Sequence, residues 1–331
     1  QVARVIGARP DEIIFTSGAT EANNLAIFGV AHRYSGRGRH IITTRIEHKA
    51  VLDPCRKLQK LGWEVTYLPV DRFGIVDLDS LRKAIRPETI LVSVMAANNE
   101  IGTLQPLREI GAITREHGIL FHTDAAQAFG CVDIDVNECN IDLLSISGHK
   151  IYGPKGIGAL YVRRARPAVL LEPVIYGGGQ ERGFRSGTLN VPAIVGLGEA
   201  SKLAMAEREK WNKHASRLTK LILDRLAHEV DGVEVNGHPD KRLPHNLNLY
   251  IRGVEARSLL VRLKDVSIST GSACTSAKVE PSHVIQALGL GDERAYSSIR
   301  LSVGRPTTED EVLYVARRLS EEIRNLRALR A

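Results

Sequence analysis

Three groups of polar residues in the first half of the sequence follow strand-like segments. The groups are Gly18-Ala19-Thr20, Asp124 and Ser147-Gly148-His149-Lys150. The first begins a predicted helix, where backbone N–H groups and the positive end of the helix dipole suit a phosphate. The second supplies a carboxylate, and the third supplies an amine. In an α/β sheet, ligands bind at the carboxyl ends of the strands, so we expect the three groups to face one site.

Pyridoxal phosphate requires this combination of groups. It needs an anchor for its phosphate, an acid against its pyridinium nitrogen, and a lysine that forms a Schiff base with its aldehyde. Each group alone has an ordinary explanation: a helix N-cap for Thr20, a loop acid for Asp124, and a solvated surface charge for Lys150. Their combination at one edge of a sheet predicts a pyridoxal-phosphate enzyme.

The elements that must position these groups alternate along the first two thirds of the chain. Strand-like and helical stretches at this spacing favour βαβ units around a mainly parallel sheet, an α/β fold. The predicted strands are 12–17, 40–44, 64–69, 89–95, 119–123, 142–147 and 158–162. The predicted helices between them are 20–33, 49–61, 79–85 and 106–116.

The pattern changes after Pro192. A long helix is predicted from Ala193 to about Val230. It is followed by strands over 233–235, 246–251 and 298–302, and by helices over 256–264, 282–288 and 309–329. We therefore predict a large domain over residues 1–205 and a smaller α+β domain over residues 206–331.

Composition and charge exclude several classes of protein. The 331 residues are 43% hydrophobic and 25% charged, which is typical of globular domains and not of disordered or collagen-like chains. The net charge of +7 is spread among acidic residues without an aromatic-interleaved basic patch, so nucleic-acid binding is not predicted. No stretch is apolar enough for a transmembrane helix, and no secretory leader is visible at Gln1.

The four cysteines predict neither a disulfide framework nor a zinc site, because they form no CxxC pair. Cys55, Cys131 and Cys139 have ordinary contexts and are interpreted as structural residues in a reducing compartment. Cys274 differs, because it lies among small residues in the run 271–277. A loop of this composition is predicted to be mobile, and an exposed thiol there is predicted to be reactive.

Seven stretches of the sequence resemble the fold-type I pyridoxal-phosphate enzymes of the class V aminotransferase superfamily. Two of them, 177–190 and 269–277, narrow the resemblance to the group I cysteine desulfurases of the NifS/IscS type. The stretches are TSGATEANN (16–24), EHKAV (47–51), NNEIG (98–102), HTDAAQ (122–127), SGHKIYGPKGIG (147–158), GGGQERGFRSGTLN (177–190) and STGSACTSA (269–277). They cover nearly the whole chain in the order of the family.

The resemblance implies which residues bind the cofactor. Lys150 would be the Schiff-base lysine, Asp124 would pair with the pyridinium nitrogen, and Gln127 would bond the phenolic oxygen. His48 would stack on the ring, and Asn99 would contact the ring or the substrate. The phosphate would be held by the start of the helix and by neighbouring polar groups: Ala19, Thr20, Ser147, His149 and, from the second subunit of a homodimer, Thr188.

The resemblance also implies the reaction. L-Cysteine would be converted to L-alanine, with its sulfur captured as a persulfide on Cys274 and passed to an acceptor protein for iron–sulfur cluster assembly or thiolation. Lys150 and His48 would be the acid–base catalysts. Arg300 would bind the α-carboxylate of the substrate, because a guanidinium matches a carboxylate in bidentate geometry. No metal ligand is implied.

Several expectations concern the surroundings of the enzyme. Family members extend before the equivalent of Gln1 and carry a C-terminal tail that helps dock the scaffold protein. The sequence stops at Arg330-Ala331, which predicts weaker scaffold docking. A cytoplasmic location is expected, and organellar targeting stays open.

Three other functions remain open from the sequence. A class V aminotransferase would share every cofactor residue and differ at the Cys274 loop. Selenocysteine lyase activity would follow the same route with selenium in place of sulfur. A catalytically silent protein could use the fold alone. The intact Lys150, Asp124 and Cys274 argue against this last function.

Overall fold

The computed structural model describes residues 1–165, 168–270 and 281–329. The strands are β1 (Ile13–Thr16), β2 (His40–Thr44), β3 (Glu64–Leu68), β4 (Thr89–Ser93), β5 (Leu120–Asp124), β6 (Leu143–Ser147), β7 (Gly158–Val162), β8 (Val233–Val235), β9 (Asn246–Ile251) and β10 (Ser298–Ser302). The α-helices are α1 (Val2–Val5), α2 (Ala19–Tyr34), α3 (Lys49–Lys60), α4 (Leu78–Ala84), α5 (Leu107–Glu116), α6 (Val191–Glu229), α7 (Ala256–Arg262), α8 (His283–Ala287), α9 (Asp292–Tyr296) and α10 (Glu309–Ala328).

Within the described residues, β1 to β7 form one sheet in the order β1-β7-β6-β5-β4-β2-β3. The pairings from β6 through to β3 are parallel. Strands β2, β4 and β6 are buried at every residue, as expected of parallel strands that are covered on both faces. The predicted mainly parallel sheet is therefore confirmed, and the carboxyl ends of β2, β4, β5 and β6 lie along one edge.

Strand β7 runs antiparallel to β6 and to β1. The link from β6 to β7 contains a 3₁₀ turn, Gly148–Ile151, where a parallel connection would need a longer crossover. The short link returns the chain beside the strand it has just left. It also places Lys150 on this turn, immediately after a buried strand.

The chain packs as two compact units. The large unit comprises Gln1–Pro69, Val76–Asn98 and Gln105–Arg208. Its core lies between the sheet and helices α2 and α3, and it contains Ile14, Leu25, Ile27, Leu58 and Leu91 among other residues. The amphipathic pattern of α3 buries Val51, Cys55 and Leu58 against the sheet and leaves Lys57 and Lys60 outside.

The small unit comprises Val70–Ile75, Asn99–Leu104 and Glu209–Ala331. Its sheet has the order β10-β9-β8, and both pairings are antiparallel. Its core includes Trp211, Leu218, Leu249, Ile299 and Leu319. The C-terminal helix α10 begins with a capping box between Thr308 and Glu311.

The helices and strands of the structure differ from the sequence-based ranges mainly at their ends. Helices α1 and α9 had not been predicted, because four or five residues show too little periodicity. The compact units divide α6 between Arg208 and Glu209, and the small unit also takes two short segments from the first third of the chain. The domain boundary after residue 205 stays a prediction.

Candidate active site

Asp124 is the last residue of β5 and is buried, with 5% of its surface exposed. Its Oδ2 accepts a hydrogen bond from Asn23 Nδ2 of α2 at 2.7 Å, and its Oδ1 accepts one from the backbone N–H of Ala126 at 2.9 Å. Burial raises the pKa of Asp124, while these hydrogen bonds and the electrostatic interactions with His48 and Lys150 lower it in part. The carboxylate is thus held in a buried environment near two basic side chains.

Three polar side chains on neighbouring strands, Ser93, His122 and Ser145, lie next to one another in the centre of the sheet. His122 lies two residues before Asp124 on β5, and hence on the same face of the strand. Its Nδ1 is 2.8 Å from Ser93 Oγ on β4, and its Nε2 is 3.0 Å from Ser145 Oγ on β6. Burial lowers the pKa of His122 to about 3, so the ring is neutral and bonds both neighbouring strands.

The turn after β6 carries Ser147, His149 and Lys150. Ser147 is buried, and its Oγ is 3.0 Å from His149 Nδ1. His149 and Lys150 are exposed. Burial and the positive charges of Lys150 and Lys155 lower the pKa of His149. The ring of His149 is therefore neutral near pH 7 and able to take part in hydrogen bonds to an anion.

The turn between β1 and α2 opens towards solvent. A Cβ added at Gly18 would meet no atom within 4 Å, whereas one at the neighbouring Gly158 would lie 2.6 Å from Gly18 Cα. Glycine at 158 therefore lets β7 approach the turn closely, and open space lies at the N-terminus of a 16-residue helix. Ala19 is half-buried and Thr20 is exposed there, as a phosphate-binding turn requires.

His48 is the N-cap of α3, just after β2. Its Nδ1 accepts a hydrogen bond from the backbone N–H of Ala50 at 3.1 Å. A neutral imidazole that accepts at Nδ1 carries its proton on Nε2. The capping bond therefore orients the ring and leaves Nε2–H as the donor.

Glu47, beside His48, is completely buried. Its Oε1 accepts hydrogen bonds from Thr44 Oγ1 at 2.7 Å and from the backbone N–H of Met95 at 2.9 Å, which tie the end of β2 to the end of β4. Burial, with a smaller contribution from the charge of Asp124, raises the pKa of Glu47 to about 8. The side chain is therefore mostly protonated at neutral pH.

Asn99 and Arg300 both belong to the small unit, and the structure brings them together. Arg300 Nη1 donates a hydrogen bond to the backbone carbonyl of Asn99 at 3.1 Å. Both side chains are half-buried. The backbone of Arg300 also pairs with Ser269 through two hydrogen bonds of 2.6 and 3.1 Å.

The other residues predicted from the sequence have less definite surroundings. Gln127 is half-buried on the turn that follows Asp124, and Thr188 is exposed. Cys274 lies outside the described residues. The roles assigned to these three residues stay predictions, as do the roles assigned to the other site residues.

The structure adds four residues around the candidate site that the sequence interpretation had not assigned a role: Glu21, Asn23, Glu47 and His122. Glu21 lies one residue after Thr20 and forms an ion pair with Arg185 at 2.8 Å. Burial raises its pKa, but hydrogen bonds from Arg185 and Ser17 outweigh this effect and hold the pKa below its usual value. Asn23 could have been found, because it lies three residues after Thr20 and hence on the same helix face.

The described residues fit pyridoxal phosphate. A buried carboxylate whose hydrogen bonds come from neutral donors is suited to a protonated ring nitrogen. The open helix N-terminus at Gly18 suits a phosphate, and Lys150 is an exposed amine close enough to Asp124 to affect its pKa. The phosphate anchor, the acid and the amine all lie at or just after the carboxyl ends of strands of the large unit.

The sequence profile of the class-V aminotransferases matches residues 1–315. A cysteine desulfurase IscS from Rickettsia bellii (strain OSU 85-389) is 56% identical over 328 residues, which are 99% of this chain and 80% of that protein. Among solved structures, a NifS-like protein has a TM-score of 0.89 at 38% identity, covering 97% of this chain and 84% of that one. SspA in complex with cysteine has a TM-score of 0.79 at 42% identity, covering 91% and 84%.

Proposed function

The chain belongs to the class-V aminotransferase family, within which it is a cysteine desulfurase, and from this premise we propose that it converts L-cysteine to L-alanine and takes up the sulfur on Cys274. The observation that carries the proposal is the buried Asp124 carboxylate, held by Asn23 and Ala126 within electrostatic reach of Lys150. An acid and an amine in this relation serve a pyridoxal cofactor.

The cofactor would be held by residues of the large unit. Asp124 would pair with its ring nitrogen, and Lys150 would hold it at its aldehyde carbon. The remaining contacts would come from His48, Gln127, Ala19, Thr20, Ser147 and His149, with Thr188 from a second copy of the chain. When bound, pyridoxal phosphate withdraws electrons from the α-carbon of an amino acid and so makes its proton labile.

The protein side chains would move protons and orient the substrate. Lys150 Nζ would take the proton from the substrate Cα, and its exposed position leaves it room to do so. His48 would donate from Nε2, because its Nδ1 is engaged with Ala50. Arg300 would bind the α-carboxylate, with its Nη1 already oriented by the Asn99 carbonyl.

Cys274 would take up the sulfur. Its thiolate attacks the Sγ of the substrate, so that an S–S bond forms and the Cβ–Sγ bond breaks. The electron pair of the broken bond stays with the carbon skeleton, which takes up a proton and leaves as L-alanine. The protein retains a persulfide, and no external oxidant or reductant is consumed.

A homodimer and a sulfur-acceptor protein complete the proposal. The dimer is supported by the exposed position of Thr188 and by exposed apolar residues of the large unit, including Tyr176, Val191 and Val195. An acceptor for iron–sulfur cluster assembly is supported by the similarity to IscS. In the described part of the chain, Cys55, Cys131 and Cys139 are thiols rather than disulfides, which supports a reducing compartment such as the cytoplasm. None of the described helices is long and apolar enough to cross a bilayer.

The test is the mass of the protein after brief exposure to L-cysteine, with alanine measured in the same sample. We expect one added sulfur atom on the peptide containing Cys274, and alanine in equal amount. Cys274→Ser should abolish both, because a serine hydroxyl is un-ionised near pH 7 and a poor nucleophile towards sulfur. The matched control is Cys131→Ser, which changes a half-buried cysteine and should leave both unchanged.

The same variants separate this function from an aminotransferase. An aminotransferase would pass the amino group to an added α-keto acid, and Cys274→Ser would not slow that transfer. Desulfuration that persists in Cys274→Ser, or sulfur found on Cys55, Cys131 or Cys139, would contradict the proposed role of Cys274.

A further inference from the structure

Two asparagines of strand β9 hold the backbone segment on which Arg300 rests. Asn246 Nδ2 donates to the carbonyl of Asn99 at 3.1 Å, the same oxygen that accepts from Arg300 Nη1. Asn248 Nδ2 donates to the next carbonyl, that of Glu100, at 3.1 Å. Both asparagines are buried, with 4% and 1% of their surfaces exposed.

The register of the small sheet explains why these residues meet. Asn246 and Asn248 alternate along β9 and therefore face the same side of the strand. Asn248 lies directly opposite Arg300 in the antiparallel pairing with β10. The two amides and the guanidinium thus converge on two consecutive carbonyls of the segment Asn99–Leu104.

The amide of Asn248 is itself held in one orientation. Its Oδ1 accepts from Asn236 Nδ2 at 2.7 Å, and the Oδ1 of Asn236 accepts from Arg294 Nε at 2.5 Å. This chain of donors leaves Asn248 Nδ2 directed at Glu100. The carboxylate of Glu100 accepts from Ser282 Oγ, which holds the same segment from its other side. A buried network with paired groups of this kind is rigid.

We propose that Asn246 and Asn248 are positioning residues that hold the Asn99 carbonyl in place, and that through it they direct Arg300 towards the α-carboxylate of the substrate. A guanidinium is planar and has five N–H donors. The bond to the Asn99 carbonyl uses one donor and helps to fix the orientation of the plane in which the other donors lie. A bidentate grip on a carboxylate depends on that plane. The proposal rests on the proposed function, because it takes Arg300 as the carboxylate-binding residue.

The test compares two ligands that differ only in the carboxylate. L-Alanine carries the group that Arg300 would bind, and ethylamine lacks it; neither has a thiol, so no sulfur transfer follows. Both are titrated into the holoenzyme, and dissociation constants are taken from the change in cofactor absorbance. We expect Asn246→Ala and Asn248→Ala to weaken L-alanine binding about tenfold and to leave ethylamine binding unchanged.

Controls separate positioning from a general loss of structure. Ser320→Ala alters another buried polar residue of the small unit and should change neither dissociation constant. Should an alanine variant fail to fold, Asn246→Gln keeps the buried amide but shifts it by one methylene, and should weaken only L-alanine binding, about threefold. Equal weakening of both ligands, or no change in either, would overturn the inference.

Arg300→Lys distinguishes failure of this inference from failure of the proposed function. Lysine cannot make a bidentate pair, so this variant should lower the preference for L-alanine over ethylamine more than any asparagine variant does. A preference unchanged in Arg300→Lys would refute the carboxylate role of Arg300 and the inference with it. A preference lost in Arg300→Lys but kept in Asn246→Ala and Asn248→Ala would refute the inference alone.

Discussion

The two charged groups proposed to act on cofactor and substrate are held in opposite ways. In the large unit, Asp124 is buried at the end of a central parallel strand, and Asn23 and Ala126 donate to it directly. In the small unit, Arg300 is half-buried within an antiparallel strand, and its Nη1 donates a hydrogen bond to a backbone carbonyl. The behaviour of Asp124 thus depends on its burial, whereas that of Arg300 depends on the direction in which its guanidinium points.

The difference shows where each site is vulnerable. A buried carboxylate is costly to keep charged, so its electrostatic partners decide its behaviour, and burial also raises the pKa of nearby Glu47. A guanidinium stays charged at any ordinary pH, so its site is sensitive to the backbone and amides that aim it. Changes of charge and pH should therefore alter the function and stability of the large unit. Changes in the position of a buried amide should alter those of the small unit.

The largest effect is expected from Asp124→Asn. The amide has the same shape but cannot stabilise a protonated ring nitrogen, so alanine formation should fall at least about 100-fold in kcat. The measurement is steady-state alanine release together with cofactor absorbance. Asp142→Asn is the control, because Asp142 is a buried aspartate that pairs with Arg163 instead. A similar loss in both variants would show that burial, and not the position of Asp124, sets the effect.

Glu47→Gln tests whether burial makes the stability of the large unit depend on pH. The folded pKa of about 8 lies above the ordinary 4.5, so the native state holds the proton between these values while the unfolded state loses it. Glu47 should therefore cause the free energy of unfolding to fall with rising pH, by up to about 1.4 kcal/mol per pH unit.

The glutamine variant should lack that slope and be more stable than the original protein above about pH 7. Denaturant unfolding at several pH values between 4.5 and 8 measures it. Glu88→Gln changes an exposed glutamate of the same unit and should keep the slope. An unchanged slope in Glu47→Gln would mean that another group carries the pH dependence.

Asn236→Ala tests whether the stability of the small unit depends on buried amides and is independent of pH. It removes donors to Asn248 Oδ1 and to Ser298 Oγ in a buried network, which should cost about 1–3 kcal/mol of stability. Because an asparagine does not titrate, the loss should be the same at every pH between 4.5 and 8, in contrast to Glu47→Gln. Denaturant unfolding curves over that range measure the loss of stability. A loss that varies with pH would show that the two units do not differ in their response to pH.

The smallest effect is expected from Asn23→Ala. Loss of the 2.7 Å hydrogen bond raises the pKa of Asp124 further, so the affinity for pyridoxal phosphate should fall about tenfold. Titration of the cofactor-free protein with pyridoxal phosphate measures this dissociation constant. Asn24→Ala is the matched control, since the amide of Asn24 donates to the Thr20 carbonyl of its own helix. Equal losses in both would point to helix α2 as a whole.

The sequence predicted much of the large sheet because its strands are short apolar runs separated by helical periodicity. It also predicted Asp124 and Lys150, because each lies at or shortly after the carboxyl end of a strand, and the carboxyl ends of parallel strands meet at one edge. The antiparallel return of β7 was not predicted, since strand direction depends on the length of the connection and not on the pattern of the strand itself.

By itself, then, the sequence determined the alternation of elements and the residue types at the strand ends, since both are local along the chain. Only the tertiary structure decided that Asn23 bonds Asp124, 101 residues away, and that Glu47 is buried deeply enough to hold its proton. It alone placed Asn246 on the carbonyl that bonds Arg300. A backbone carbonyl has no side-chain signature, and burial is a property of what packs around a residue, so neither can be read from neighbouring letters.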